Sequence, residues 1–204
     1  MTEKMAAPKV DVTKLAEMDK HETITYGDKE NPKTIEATFR DPGYEMLMKI
    51  RAKQNIGNNE RDYAEMINMI NENVIINPRY AFADLNKKVR KTEETKEVEL
   101  DGKRGKKPHI LMKFPGYREA LNLTADIRGV DGADETLGVL QALNKDVFRR
   151  VDNPDKPLDM SFWSENGGGY DAINEARLYF AEVMDHDGYA STAIRAVTFL
   201  SECI

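Results

Sequence analysis

Pro115-Gly-Tyr-Arg-Glu-Ala-Leu121 follows the alternating run His109-Ile-Leu-Met-Lys-Phe114, and upstream Pro42-Gly-Tyr-Glu-Met-Leu-Met48 follows Thr34-Ile-Glu-Ala-Thr-Phe39. The match continues without gaps. At one fixed offset Ala52 meets Ala125, Ile67 meets Leu140, Ile70 meets Leu143, Asn71 meets Asn144 and Val74 meets Val147. After a short insertion Asn77-Pro78 meets Asn153-Pro154. Self-similarity at a fixed spacing marks a duplicated unit, and two copies suggest a pseudo-symmetric pair, not a solenoid.

Each copy opens with a hairpin signal, period-two apolar spacing around a Gly, Asn or Pro turn. In the first copy the strands are Glu22–Tyr26 and Thr34–Phe39, joined by Gly27-Asp-Lys-Glu-Asn-Pro32. In the second they are Lys96–Leu100 and His109–Phe114, joined by Asp101-Gly-Lys-Arg-Gly-Lys-Lys-Pro108. Two helices follow in each. Tyr44, Leu47 and Met48 share one face of the first helix, which the Gly57-Asn-Asn59 turn ends. A longer helix from about Glu60 to Ile75 has the stripe Tyr63, Met66, Ile67, Ile70, Val74, and Asn77-Pro78 stops it. The second copy repeats this with Tyr117, Ala120 and Leu121, the turn Gly129-Val-Asp-Gly132, and Leu137, Leu140, Leu143 and Val147.

The fold class expected is α+β and predominantly α-helical: two repeated β-hairpin-plus-two-helix units followed by C-terminal helices. Residues 1–20 are read as a weakly ordered leader, 21–86 and 96–166 as the two units, and 87–95 as a charged linker or solvated helix. Residues 167–204 are read as a Gly linker with two closing helices, from about Tyr170 and about Tyr189. Tyr189, Ala190, Ala193, Ile194, Ala196, Val197, Phe199, Leu200 and Ile204 surround most of the last helix, which its own chain would be hard pressed to cover.

The 204-residue chain is 32% charged, with net charge −6 and pI near 5.3. That balance argues against a nucleic-acid partner. Cys203 is the one cysteine, so no internal disulfide can form, as suits a reducing compartment. No apolar stretch approaches a membrane span or a signal sequence. The expected setting is the cytoplasm, with no membrane partner.

No catalytic, cofactor or metal motif emerges, and the chain is read as non-enzymatic. His21, His109 and His186 are far apart. Asp185-His-Asp187 is read as a helix–helix turn, because zinc needs three or four convergent ligands. Gly167-Gly-Gly169 lacks the Lys-Ser/Thr of a phosphate loop and is read as a linker. Lys103-Arg-Gly-Lys-Lys107 is read as a solvated hairpin tip. Phe162 and Trp163 are either an interface anchor or core.

The order Phe114, Pro115-Gly116-Tyr117, a Gly/Asp turn, an amphipathic helix ending near Asn153-Pro154, then Leu158, Asp159, Phe162 and Trp163 before apolar closing helices resembles tail assembly chaperones of long-tailed, siphovirus-like bacteriophages of Gram-positive bacteria. Residues 96–204 carry the resemblance best. It implies a protein made in the infected cell's cytoplasm that binds the tape measure protein and keeps it soluble before the tail tube polymerises. Protein-binding candidates are Phe162, Trp163, Tyr189, Ile194, Val197, Phe199 and Leu200, with homo-oligomerisation through the last helix. Removing residues 188–204 is expected to leave the units folded and to abolish association or client binding. The alternative is a structural component of a phage tail or other assembly.

Overall fold

A computed structural model describes residues 19–27, 29–53, 62–129 and 133–203. The leader, the Gly57-Asn-Asn59 turn, most of the Gly129–Gly132 turn and Ile204 lie outside those residues.

The first copy opens with β1 (Lys20–Tyr26) and β2 (Lys33–Phe39), paired antiparallel with Ile24 opposite Ile35. Helices α1 (Tyr44–Ala52) and α2 (Tyr63–Asn73) follow, then β3 (Ile75–Asn77) and the short α3 (Phe82–Lys88). The second copy repeats the order: β4 (Thr95–Glu99), β5 (His109–Lys113), α4 (Tyr117–Arg128), α5 (Ala133–Asp146), β6 (Phe148–Arg150) and α6 (Met160–Asn166). Helices α7 (Gly169–Met184) and α8 (Tyr189–Glu202) close the chain. The sheets are β1-β2-β3 and β4-β5-β6, both antiparallel. Among the described residues helix outweighs strand, 53% to 18%, which makes this the α+β fold with a helical majority that the sequence predicts.

The third strand of each sheet departs from expectation. The second helix was expected to run to Ile75, but α2 ends at Asn73. Val74-Ile75-Ile76 is β-branched, a composition that favours a pleated neighbour over a helical turn, and β2 supplies one. Arg40 N donates to Val74 O at 2.8 Å, and at the matched place Lys113 N donates to Val147 O at 2.9 Å.

Both first helices start from the same unusual backbone. Gly43 has φ 77°, ψ 161° and Gly116 φ 94°, ψ 159°. That region is closed to residues with a Cβ, which explains why Pro-Gly-Tyr stands in both copies.

Side-chain placement differs from the predicted stripes at two positions. Tyr44 is 78% exposed, and Leu47 and Ile50 are the buried residues of α1. Leu137 is 44% exposed, and Val139, Leu140 and Leu143 face inward from α5. In each case the helix is turned so that its other apolar residues meet the core.

The core is one continuous cluster through both copies. α8 lies against β1, β2 and α2, and α7 against α4 and α5. Phe199 stacks on Phe39 with centroids 5.7 Å apart. The segment 87–95 is fastened to this body: Tyr179 Oη donates to Glu93 O at 2.6 Å, and Phe114 N to Glu94 O at 2.8 Å.

Candidate functional site

Most candidate binding residues are consumed by this core. Trp163, Tyr189, Phe199 and Leu200 are buried within the chain, so none is available to a partner in this conformation. For Tyr189, Phe199 and Leu200 the reason is the packing of α8, whose circumference the hairpin strands, α2 and α7 cover more than the sequence pattern suggested; Trp163, on α6, is buried against Phe148 and bonded to Asn144. Phe162 is half-buried, its ring edge-on to Trp163 at 5.0 Å. Val197 is half-buried and lines a hollow of about 310 Å³ with Leu47, Ile50, Met66, Ile70 and Leu200. Ile194 alone of the seven is largely exposed, at 58%.

Ile194 stands on the lip of a groove where four helices meet. Tyr63 and Ile67 come from α2, Leu121, Thr124 and Arg128 from α4, Arg177, Ala181 and Met184 from α7, and Tyr189, Ala190, Ala193 and Ile194 from α8. The lining is apolar except for Thr124, the tyrosine hydroxyls and the two arginines. Arg177 Nη2 donates to Asn174 Oδ1 at 3.0 Å. The free volume is about 110 Å³. Small-molecule sites usually run to about 300–1,000 Å³, so the groove suits one or two aliphatic side chains, not a cofactor.

The floor of the groove is held by polar bonds that the hydropathy pattern did not reveal. Burial keeps the Tyr189 hydroxyl protonated far above the ordinary tyrosine range, and its oxygen accepts from Asn71 Nδ2 at 3.1 Å. The ring of Tyr189 meets Tyr80 at 4.9 Å and Tyr117 at 5.4 Å, both edge to face. Edge-to-face pairs add stabilisation beyond their buried area. The start of α8 is fixed by Asp185, whose carboxylate accepts from Ser191 N at 2.8 Å and Ser191 Oγ at 3.0 Å. His186 Nδ1 lies 3.0 Å from Asp187. Asp185 thus satisfies a first-turn N–H of α8, whose N-cap residue is Gly188, and the stretch forms the expected helix–helix turn.

Other chemistry-bearing residues also have local tasks. Lys103 Nζ donates to Ser164 O, and Lys106 Nζ to Glu165 O at 2.7 Å. The basic tip of the β4–β5 connection is exposed, as expected, and two of its lysines also cap the C-terminal carbonyls of α6. A Cβ on Gly102 would lie 2.5 Å from Asn166 O, and one on Gly167 would lie 2.7 Å from Lys103 N. Gly167-Gly-Gly169 is thus a close crossing of two loops, where a slack linker was expected. Arg149, in a cleft with Glu119 and Lys145, donates to Asn144 O, Asp146 O and Phe148 O. Burial, reinforced by Asp146, raises the Glu119 carboxyl above its ordinary value. Cys203 Sγ lies 3.3 Å from Phe199 O, and burial pushes its thiol up, away from the reactive thiolate.

Among the described residues, no three of His, Cys, Asp and Glu gather as metal ligands would, and no helix is long and apolar enough to cross a membrane. Comparison with protein-family models, with curated proteins and with solved structures finds no match to this chain.

Proposed function

We propose that this protein works by holding a helical segment of another protein, with an aliphatic side chain of that segment seated in the groove beside Ile194. The observation that carries this is the pairing of an exposed Ile194 with an apolar hollow the size of one or two side chains. Helix-in-groove recognition needs such a hollow to receive an anchor residue. Arg128 and Arg177 at the rim favour a client whose apolar stripe is flanked by acidic residues.

Seating one side chain of leucine size contributes roughly 1.5–3 kcal/mol, so a single groove binds weakly and reversibly. That strength suits a holding protein that engages a long client at many places and is later displaced. Combined with the resemblance of residues 96–204, it leads us to propose the tape measure protein of a long-tailed phage as the client, held soluble in the host cytoplasm until the tail tube forms.

The test is co-expression with that tape measure protein, comparing the wild type with Ile194→Asp. The wild type should recover soluble client and the variant should not. Mass spectrometry of purified virions separates this role from that of a tail component. A chaperone is absent from the particle, and a structural subunit is present.

A further inference from the structure

We infer that the helix held at the groove continues along the outer face of α7 as far as Tyr170, a conclusion that rests on the client role proposed for that groove. The face forms a lane with an apolar floor and opposite charges on its two borders.

α7 lends Arg177, Ala181 and Met184 to the groove. A helix turns by about 100° per residue, so Tyr170, Asn174, Arg177 and Ala181 stand in one line along α7. All four are exposed, and the line ends at the groove. Among the described residues the large apolar side chains left exposed are Tyr44, Leu137, Tyr170, Leu178 and Ile194. Two of them belong to this one face: Tyr170, 70% exposed, and Leu178, 43% exposed, beside the line and one turn on from Asn174. A third, Ile194, stands on the lip of the groove where the line arrives. The opposite side of α7 is committed to the core through Ala172, Ala176, Tyr179 and Phe180. Tyr179 donates to Glu93 O. Among the described residues Tyr170 has no such bond and no stacked ring.

The charges at the borders decide what can lie there. Arg128 and Arg177 stand on the groove side, and Arg177 donates to the neutral Asn174. Asp171 and Glu175 stand on the other side, beyond Leu178, and neither pairs with a cation among the described residues. The occupant that complements this lane is an amphipathic helix with acidic residues along one flank of its apolar stripe and basic residues along the other. Reversing such a helix would exchange its flanks, so the borders also select one chain direction. Tyr170 and Ala181 are about 16 Å apart along the axis, which makes the held segment at least about three turns long and gives it a second anchor beyond the groove.

The test uses the full-length protein co-expressed with the tape measure protein as the probe. A photoreactive p-benzoylphenylalanine is placed at position 170, at 178 or, as a control on another face, at 44. All three sites are exposed, so circular dichroism should match the wild type. Positions 170 and 178 should attach to one client helix at points about eight residues apart, because two helices laid side by side rise equally per residue. Position 44 should attach to none. Tyr170→Ala combined with Leu178→Ala should weaken client capture roughly tenfold. Capture that depends on Ile194 but gives no adduct at 170, or that is unchanged in the double variant, would overturn the inference and leave the groove as the whole site. Adducts as frequent from position 44, or scattered over the client without fixed spacing, would overturn it as well. A wild type that captures no client would overturn both the lane and the groove.

Discussion

Asn71 and Asn144 occupy the same place in the two copies, and both are buried polar residues. Each bonds an aromatic residue from a later element: Asn71 the hydroxyl of Tyr189, Asn144 the indole N–H of Trp163 at 2.8 Å. Duplication thus kept an amide on the inner face of the second helix, and each copy uses it to fasten a different partner. Asn144→Ala leaves the Trp163 donor buried and unpaired, at a cost of about 1–3 kcal/mol. Urea denaturation should show that loss. Gly43 and Gly116 make a second matched pair. Neither site is sterically crowded, so Gly→Ala at either should cost about 1–3 kcal/mol through backbone strain alone. Near-equal losses in thermal denaturation would bear that out. The sequence displayed both pairs as repeated letters. It could not reveal what the amides hold, because Tyr189 and Trp163 are brought to them only by the folding of α8 and α6.

At the scale of elements, α8 is an integral wall of the core. Arg195 on α8 forks onto Glu22 of β1, while Lys20 reaches Glu22 at 2.8 Å and Glu202 at 2.6 Å. The Arg195 guanidinium, helped by Lys20, holds the Glu22 carboxyl at about 2 against an ordinary value near 4.5. A carboxyl whose folded pKa is depressed stabilises the fold above its unfolded pKa and loses that contribution as pH falls toward the folded value. Glu22→Gln should therefore lower Tm at neutral pH, and the gap to wild type should close between about pH 4.5 and pH 2 in thermal melts. Deleting residues 188–204, expected from sequence to spare the two units, instead removes Tyr189, Phe199 and Leu200 from the shared core. The truncated chain should lose cooperative unfolding, as calorimetry would show. The hairpins and long helices were legible because period two and period 3.6 are written into their apolar residues. The strands β3 and β6 were hidden because three residues are too few to show a period and each directly follows a helix. The last helix was legible as over-apolar, but the elements that cover it come from both ends of the chain.

At the scale of the whole molecule, the duplicated units share one core but not one environment. The second copy packs against the first copy and against α7, and each copy keeps an exposed apolar residue on its surface, Tyr44 on α1 and Leu137 on α5. The groove at Ile194 draws on α2 from one copy, α4 from the other and both closing helices, so no contiguous stretch of sequence contains it. Ile194 was legible as one of many apolar residues on α8. Its distinction is that the others turn inward or sit half-covered, a matter of how α8 is rotated against α2 and α7. The central claim is that this groove holds a helical client, and affinity capture after co-expression with the tape measure protein tests it most directly. The account predicts a soluble complex with wild-type protein and none with a folded Ile194→Asp variant. Equal capture by both, or a client that stays insoluble while this protein elutes alone, would contradict it.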